Sequence, residues 1–265
     1  MPADDTIRWL LAGDPAIRWQ VLRDLAGATE RTVERERRKV ARDGWGAPAA
    51  PGPKGFIPQS GPPRPTLCCF SATGSETCVT GMILSILSYF EVDDDRLDAI
   101  TDHLLEQQMP DGGWNCRRPR GATHASMHTT ISMLEGLRWY EMHRRRKLAA
   151  VRPAQRRGRE FLLVHRLFRS HRTGAIIQPA FVRFSFPPRW HYDVLRALDY
   201  FQTVKAPRDE RLPEAIQLVG DKQRQDGRWP LENRHKGKTW FELERPGAPS
   251  RWNTLRAMRV LKWWK

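Results

Sequence analysis

The sequence predicts an all-α protein built from repeated helical hairpins. Apolar residues recur at helical spacing from Ile7 onward, interrupted by one long stretch rich in proline and glycine. A seven-residue motif occurs twice, 115 residues apart, and each copy closes an amphipathic segment. Apolar segments of similar length and pattern follow both copies. Repetition on this scale is typical of arrays of helical hairpins.

The composition fits one globular domain spanning residues 1–265, with 40% hydrophobic and 28% charged residues. No apolar run approaches the ~18 residues of a membrane-spanning helix. The N-terminal residues lack the pattern of a signal peptide, so we expect a cytoplasmic protein. We expect free thiols in that reducing compartment, at Cys68, Cys69, Cys78 and Cys116.

The chain is strongly basic, with 45 Lys and Arg against 30 acidic residues and a formal charge of +15. This charge suits either a nucleic-acid surface or solvated helix faces rich in arginine. The basic residues occur in all segments and no nucleic-acid-binding motif is present. We therefore favour solvated helix faces and expect no specific nucleic-acid partner.

The region before the repeats divides into N-terminal helices in residues 1–44 and a loop in residues 45–66. Asp14 before Pro15 marks a helix start. Residues 29–42 are charged and predict an exposed helix. The following loop is too rich in Pro and Gly for a regular element. The repeats are expected in residues 67–265.

The repeated motif is Q-x-x-D-G-x-W, at residues 108–114 and 223–229, with a degenerate copy at 171–174 that keeps only the glycine. A charged helix precedes each copy and a more apolar helix follows it. We expect the apolar helices to form an inner ring and the charged helices an outer one. The apolar helices are predicted at 76–88, 126–138, 189–201 and 250–262, and the charged ones at 96–108, 156–168 and 211–223.

The Q-x-x-D-G-x-W element resembles the repeat signature of squalene (terpene) cyclases and of protein prenyltransferase β-subunits. The resemblance covers roughly residues 76–265. It implies an α/α toroid, in which inner and outer helices surround a central apolar cavity. The chain offers fewer hairpins than a complete toroid, so we expect a ring that is open or closed by its terminal helices.

A second resemblance implies a zinc site. Protein prenyltransferases bind zinc through D-x-C and through the histidine of a Y-H-T-x-x-x-L-x-G-L stretch. Glu76 and Cys78 resemble the first motif, and residues 127–137, which include His128, resemble the second. The implied ligands of a zinc cofactor are Glu76, Cys78 and His128, with Cys116 or His191 as a fourth ligand or a residue that orients one. Alternatively, Cys78 is a core residue and His128 is bonded to backbone carbonyls.

Two further segments carry candidate chemistry. The acidic run at 91–95 is similar to the proton-donating motif of class II cyclases, but it directly precedes a predicted helix, and we favour a role at the helix N-terminus. Residues 165–191 combine arginines, histidines and aromatic residues. This segment either holds a phosphate or diphosphate, through Arg172, Arg189 and His191, or pairs its arginines with acids of neighbouring helices.

The first functional hypothesis is a terpene cyclase-like or prenyltransferase-like protein that acts on or binds an isoprenoid or other apolar small molecule, assisted by zinc. The resemblance carries this hypothesis, although residues 66–75 lack the basic residues that hold diphosphate in prenyltransferases. The second hypothesis is a non-catalytic toroid that binds a lipid or a protein. The third is a basic helical-repeat protein that binds nucleic acid.

Overall fold

The computed structural model describes residues 2–44, 76–237 and 242–265. The described residues are all-helical, since they contain isolated β-bridges but no β-strand. This confirms the all-α prediction. The predicted loop at 45–66, as well as Cys68 and Cys69, lies outside the described residues. Within them, no helix combines the length and the apolar character needed to cross a bilayer.

The chain separates into two compact units. Of the described residues, the first comprises those within Met1–Arg64, Phe184–Pro187 and Ile216–Lys265, and the second comprises those within Pro65–Arg183 and Pro188–Ala215. The first contains α1 (Pro2–Leu11), α2 (Pro15–Asp24), α3 (Glu30–Arg37), α4 (Val40–Asp43) and α11 (Arg251–Trp264). The second contains α5 (Thr77–Tyr89), α6 (Arg96–Glu106), α7 (Met127–His143), α8 (Leu148–Val164) and α9 (Val194–Thr203). The boundary between residues 215 and 216 falls within α10 (Pro213–Asp221).

In the first unit, α1, α2 and α11 share an apolar core of Leu10, Ile17, Val21 and Leu255, all fully buried. The predicted start of α2 is confirmed, because the Asp14 carboxylate accepts a hydrogen bond from the backbone N–H of Ala16 at 2.7 Å. The helix predicted at 29–42 is divided into α3 and α4.

In the second unit, α5 packs against α7 with the two backbones in close contact at Gly81 and Gly136. Most side chains of α7 are buried, which agrees with the apolar pattern that the sequence shows there. Helix α9 begins at Val194 rather than near residue 189. The reason is local: the Asp193 carboxylate caps the helix by accepting from the N–H of Arg196 at 2.8 Å.

The two copies of the Q-x-x-D-G-x-W motif adopt the same local geometry. The Trp114 indole donates to the carbonyl of Leu104 at 2.8 Å, and the Trp229 indole donates to the carbonyl of Val219 at 2.6 Å. Both carbonyls lie in the last turn of the preceding helix, where the helix itself offers no donor. Each tryptophan backbone N–H also donates to a threonine hydroxyl of the following helix, at 3.0 Å in both copies.

The glutamine and the glycine of the motif close the turn. The side-chain amide of Gln108 donates to the carbonyl of Gly112 at 2.7 Å, and that of Gln223 donates to the carbonyl of Gly227 at 3.2 Å. Both glycines have positive φ, 91° and 76°, which other residues rarely adopt. The degenerate copy forms a different tight turn, in which the N–H of Ser170 donates to the carbonyl of Ala175 at 2.8 Å.

Candidate functional site

A cavity of about 860 Å³ lies in the second unit, beside the start of α7 and the end of α8. We call it the histidine cavity. Part of its wall is apolar, and several of these side chains stay exposed to solvent although they are large. This wall consists of Met127, Phe161, Val164, Ile176, Ile177 and Phe181.

The polar part of the lining includes His124, His128, His165, His171 and Arg172. Nδ1 of His165 lies 2.8 Å from the carbonyl of Phe161 and must therefore carry a proton to donate. Its Nε2 then accepts from Nδ1 of His171 at 3.0 Å in the neutral pair. This pair of hydrogen bonds fixes the tautomers of both histidines and leaves Nε2 of His171 as an acceptor when the ring is neutral.

His128 is held by backbone and by aromatic rings. Its Nδ1 accepts a hydrogen bond from the N–H of Tyr192 at 2.8 Å, so the neutral ring carries its proton on Nε2. The rings of Phe181 and Trp190 meet it edge-on, with centroids 5.3 Å away, and the ring of His191 lies 5.8 Å away. His128 is thus a packed residue of the cavity wall.

Two thiols meet at the start of α5. The backbone N–H of Cys78 lies 3.1 Å from Sγ of Cys116, and the hydroxyl of Thr129 lies 3.3 Å from the same sulfur. Cys78 is buried, whereas Cys116 is partly exposed. The helix N-terminus and these donors stabilise a negative charge on Cys116.

The two thiols differ in acidity. The hydrogen bond from the Cys78 side chain lowers the pKa of Cys116, and the Thr129 hydroxyl and the Cys78 backbone N–H lower it further, against the opposing effect of burial. The same side-chain hydrogen bond, together with burial, raises the pKa of Cys78. Cys116 is therefore the more acidic thiol of the pair.

The prediction of a zinc site is wrong. Across residues 2–44, 76–237 and 242–265, no group of three or more His, Cys, Asp or Glu side chains is arranged to hold a metal ion. The contacts explain this result. Nδ1 of His128 accepts a hydrogen bond from the N–H of Tyr192. The thiol of Cys78 is hydrogen-bonded to that of Cys116, and Glu76 is an exposed residue preceding α5.

The other predicted site residues have different surroundings. Arg172 is exposed and lines the histidine cavity. His191 stacks on Trp190, with ring centroids 3.7 Å apart, and Arg189 is a half-buried residue with a left-handed backbone, φ 52°. The alternative of pairing with acids holds for Arg169, whose guanidinium lies 2.5 Å from the Glu214 carboxylate.

The acidic run at 91–95 acts at a helix start, as the sequence favours. The Asp94 carboxylate accepts from the N–H of Arg96 at 2.8 Å. The side-chain hydrogen bond from Arg96 is the main cause that lowers the pKa of Asp94 to about 2. A proton donor to an alkene needs the opposite shift. Asp93 and Asp95 are exposed and pair with Arg144.

The comparisons with known proteins give no match: neither a protein-family model, nor a curated protein, nor a solved structure is similar to this chain.

Three parts of these sites were not predicted. Thr129 adjoins His128 in the sequence, and its place in the second motif was the one available signal. The His165–His171 pair was visible only as two members of a long basic segment. The arginines that line a second cavity gave no signal, because nothing in the sequence distinguishes Arg145 from its ion-paired neighbours Arg144 and Arg146.

Proposed function

We propose that this protein binds an isoprenoid or another amphipathic apolar small molecule in the histidine cavity. One observation carries the proposal. Val164, Ile176 and Ile177 are 43%, 43% and 36% exposed, and all three line this cavity. Large apolar side chains that remain in contact with water in one concave place favour an apolar ligand.

The size and polarity of the cavity agree with such a ligand. Its volume of about 860 Å³ lies within the range of about 300–1,000 Å³ that is typical of small-molecule sites. The apolar wall would bury the hydrocarbon chain, and His171 would receive a hydroxyl head group at Nε2. The proposal concerns binding and includes no chemical step.

Kinship with the toroid family of squalene cyclases and prenyltransferase β-subunits belongs to the same proposal. It is supported by the two motif copies, whose tryptophan and glutamine side chains make equivalent hydrogen bonds. A ring of inner and outer helices and a cytoplasmic location both remain predictions.

Equilibrium binding of farnesol, an uncharged isoprenoid alcohol, tests the proposal. We expect saturable binding to the wild-type chain. The Val164→Glu/Ile176→Glu variant should bind at least about tenfold more weakly, because it replaces two apolar contacts with charges. Ile86→Glu is the control for exposed apolar surface: Ile86 is 53% exposed and does not line the cavity, so the affinity should not change.

Absence of saturable farnesol binding to folded wild-type protein would overturn the proposal. An equal loss of affinity in Ile86→Glu would do so as well, because it would show adsorption to exposed apolar surface rather than binding in the cavity. Circular dichroism of each variant, compared with the wild type, verifies that the helices are intact.

A further inference from the structure

A second cavity, of about 630 Å³, lies in the second unit where α7, α8 and the end of α9 meet. Its lining is dominated by five arginines, and we call it the arginine cavity. They are Arg138, Arg145, Arg152, Arg156 and Arg159. Among the described residues that line it, Glu141 is the one acid.

Glu141 is already fully engaged. One of its carboxylate oxygens accepts from the guanidinium of Arg152 at 2.7 Å, and the other accepts from the side-chain amide of Gln155 at 2.6 Å. Arg159 faces the neutral hydroxyl of Tyr200 at 3.4 Å. The lining thus holds more guanidinium groups than carboxylates, and Arg145, Arg156 and Arg159 pair with no carboxylate among the described residues.

Arg145 and Arg156 are the least compensated. Within the described part of the chain, neither forms an ion pair or a side-chain hydrogen bond. Each is exposed at the cavity wall. A guanidinium without a carboxylate partner is ordinary on an open surface, but several of them around one concavity repel one another.

The basic residues next to Arg145 in the sequence all form ion pairs with aspartates. Arg144 pairs with Asp93, Asp95 and Asp98, Arg146 pairs with Asp95 and Asp98, and Lys147 pairs with Asp102. Within this run of four basic residues, Arg145 alone lines the cavity. Its backbone is left-handed, with φ 52°, a conformation that costs free energy in a residue with a side chain.

We propose that the arginine cavity binds a ligand carrying two or more phosphate groups. Arginine presents a planar fork of donors that matches phosphate oxygens in pairs. Near neutral pH a single phosphate carries at most about two negative charges, fewer than the three guanidinium charges of Arg145, Arg156 and Arg159, which favours more than one phosphate. No aromatic ring belongs to the described lining, which favours recognition of the phosphate chain itself over stacking of a base.

Titration calorimetry of the full chain with inorganic diphosphate tests this proposal. We expect saturable binding, at least about tenfold tighter than that of orthophosphate, because a second phosphate engages further arginines. Arg145→Ala/Arg156→Ala should weaken diphosphate binding at least about tenfold. Neither residue holds another element of the described structure, so the variant should fold.

Arg31→Ala/Arg35→Ala is the matched control, because it removes the same charge from two exposed arginines of α3. Its diphosphate affinity should equal that of the wild type. A parallel titration with ATP separates the two sources of the phosphate chain: weaker binding than diphosphate indicates the free anion, and equal or tighter binding indicates a phosphorylated small molecule.

Two results would overturn the proposal. One is the absence of saturable diphosphate binding to folded wild-type protein. The other is an equal loss of affinity in the α3 variant, which would mean that net charge rather than the cavity attracts the anion. The farnesol site is tested separately, because farnesol carries no phosphate and its variants leave the arginines in place.

Discussion

Gly136 on α7 approaches Gly81 on α5 so closely that a Cβ atom at position 136 would lie 2.5 Å from the carbonyl oxygen of Gly81. The obstacle is backbone, which cannot rotate away. We predict that Gly136→Ala lowers the free energy of unfolding by about 1–3 kcal/mol, because the two helices must move apart. Urea denaturation followed by circular dichroism measures the change.

Gly220→Ala is the control for that substitution. Gly220 lies within α10, and a Cβ there would meet no atom within 4 Å. The change should therefore stabilise the protein, by up to about 1 kcal/mol, since alanine is the better helix former. Equal effects of the two substitutions would contradict the close contact of α5 and α7.

The tryptophans of the repeated motif should contribute equally to stability. Trp114→Phe removes the indole donor and leaves the carbonyl of Leu104 buried without a partner, and Trp229→Phe does the same to that of Val219. We expect each change to cost about 2 kcal/mol or more. Trp263→Phe, in half-buried surroundings near the end of α11, should cost much less in the same denaturation assay.

The ion pair of Glu135 and Arg196 should be among the strongest single contributors to stability. The Arg196 side chain is 4% exposed and makes two hydrogen bonds to the carboxylate, at 2.9 and 2.6 Å. Glu135→Gln leaves a buried charge without its counter-ion and should cost about 3 kcal/mol or more. Glu34→Gln, which breaks the exposed pair with Arg38, should cost less than about 1 kcal/mol.

Asp98 should contribute to acid sensitivity. Burial alone would raise its pKa, but hydrogen bonds from Tyr140, Arg146 and Arg144 outweigh that effect and lower the pKa to about 2. In the unfolded chain the Asp98 carboxyl group titrates at about pH 4. Its contribution to stability is therefore complete above that pH and is lost as the pH falls through about 2.

Asp98→Asn should therefore flatten the fall of unfolding free energy between about pH 4 and 2, measured by urea titrations at several pH values. Asp102→Asn, which removes a half-exposed carboxylate of the same helix, is the control. A wild-type slope in the Asp98 variant would show that the carboxylate is not held by these partners.

The thiol pair predicts selective alkylation. Cys116 should react with iodoacetamide near neutral pH faster than an ordinary cysteine, and the reaction should slow as the pH falls and the thiolate is protonated. Thr129→Val removes one hydrogen bond to the sulfur and should shift this pH dependence upward. Peptide mapping by mass spectrometry separates Cys116 from the other three cysteines. Faster modification of Cys78 would contradict the assignment.

Local signals in the sequence determined most of the helices. The apolar spacing located α5, α6, α7, α10 and α11, and the cap at Asp14 was readable because a capping side chain bonds to backbone groups next to it in the sequence. The repeated motif was equally readable. The indole of each tryptophan contacts a carbonyl ten residues earlier, so this hydrogen bond follows from local sequence.

The candidate sites were decided by tertiary structure. The sequence placed Cys78 and His128 in motifs that resemble those of zinc ligands. In the structure the side chains of Cys78 and His128 are instead hydrogen-bonded to Cys116 and Tyr192, residues that are distant in the sequence. Sequence alone likewise gives no sign that Arg145 faces a cavity while Arg144 and Arg146 meet aspartates. The periodicity of apolar residues is a local property that the sequence shows directly. The hydrogen-bond partner of a side chain, in contrast, depends on which distant segment of the backbone the fold brings close to it.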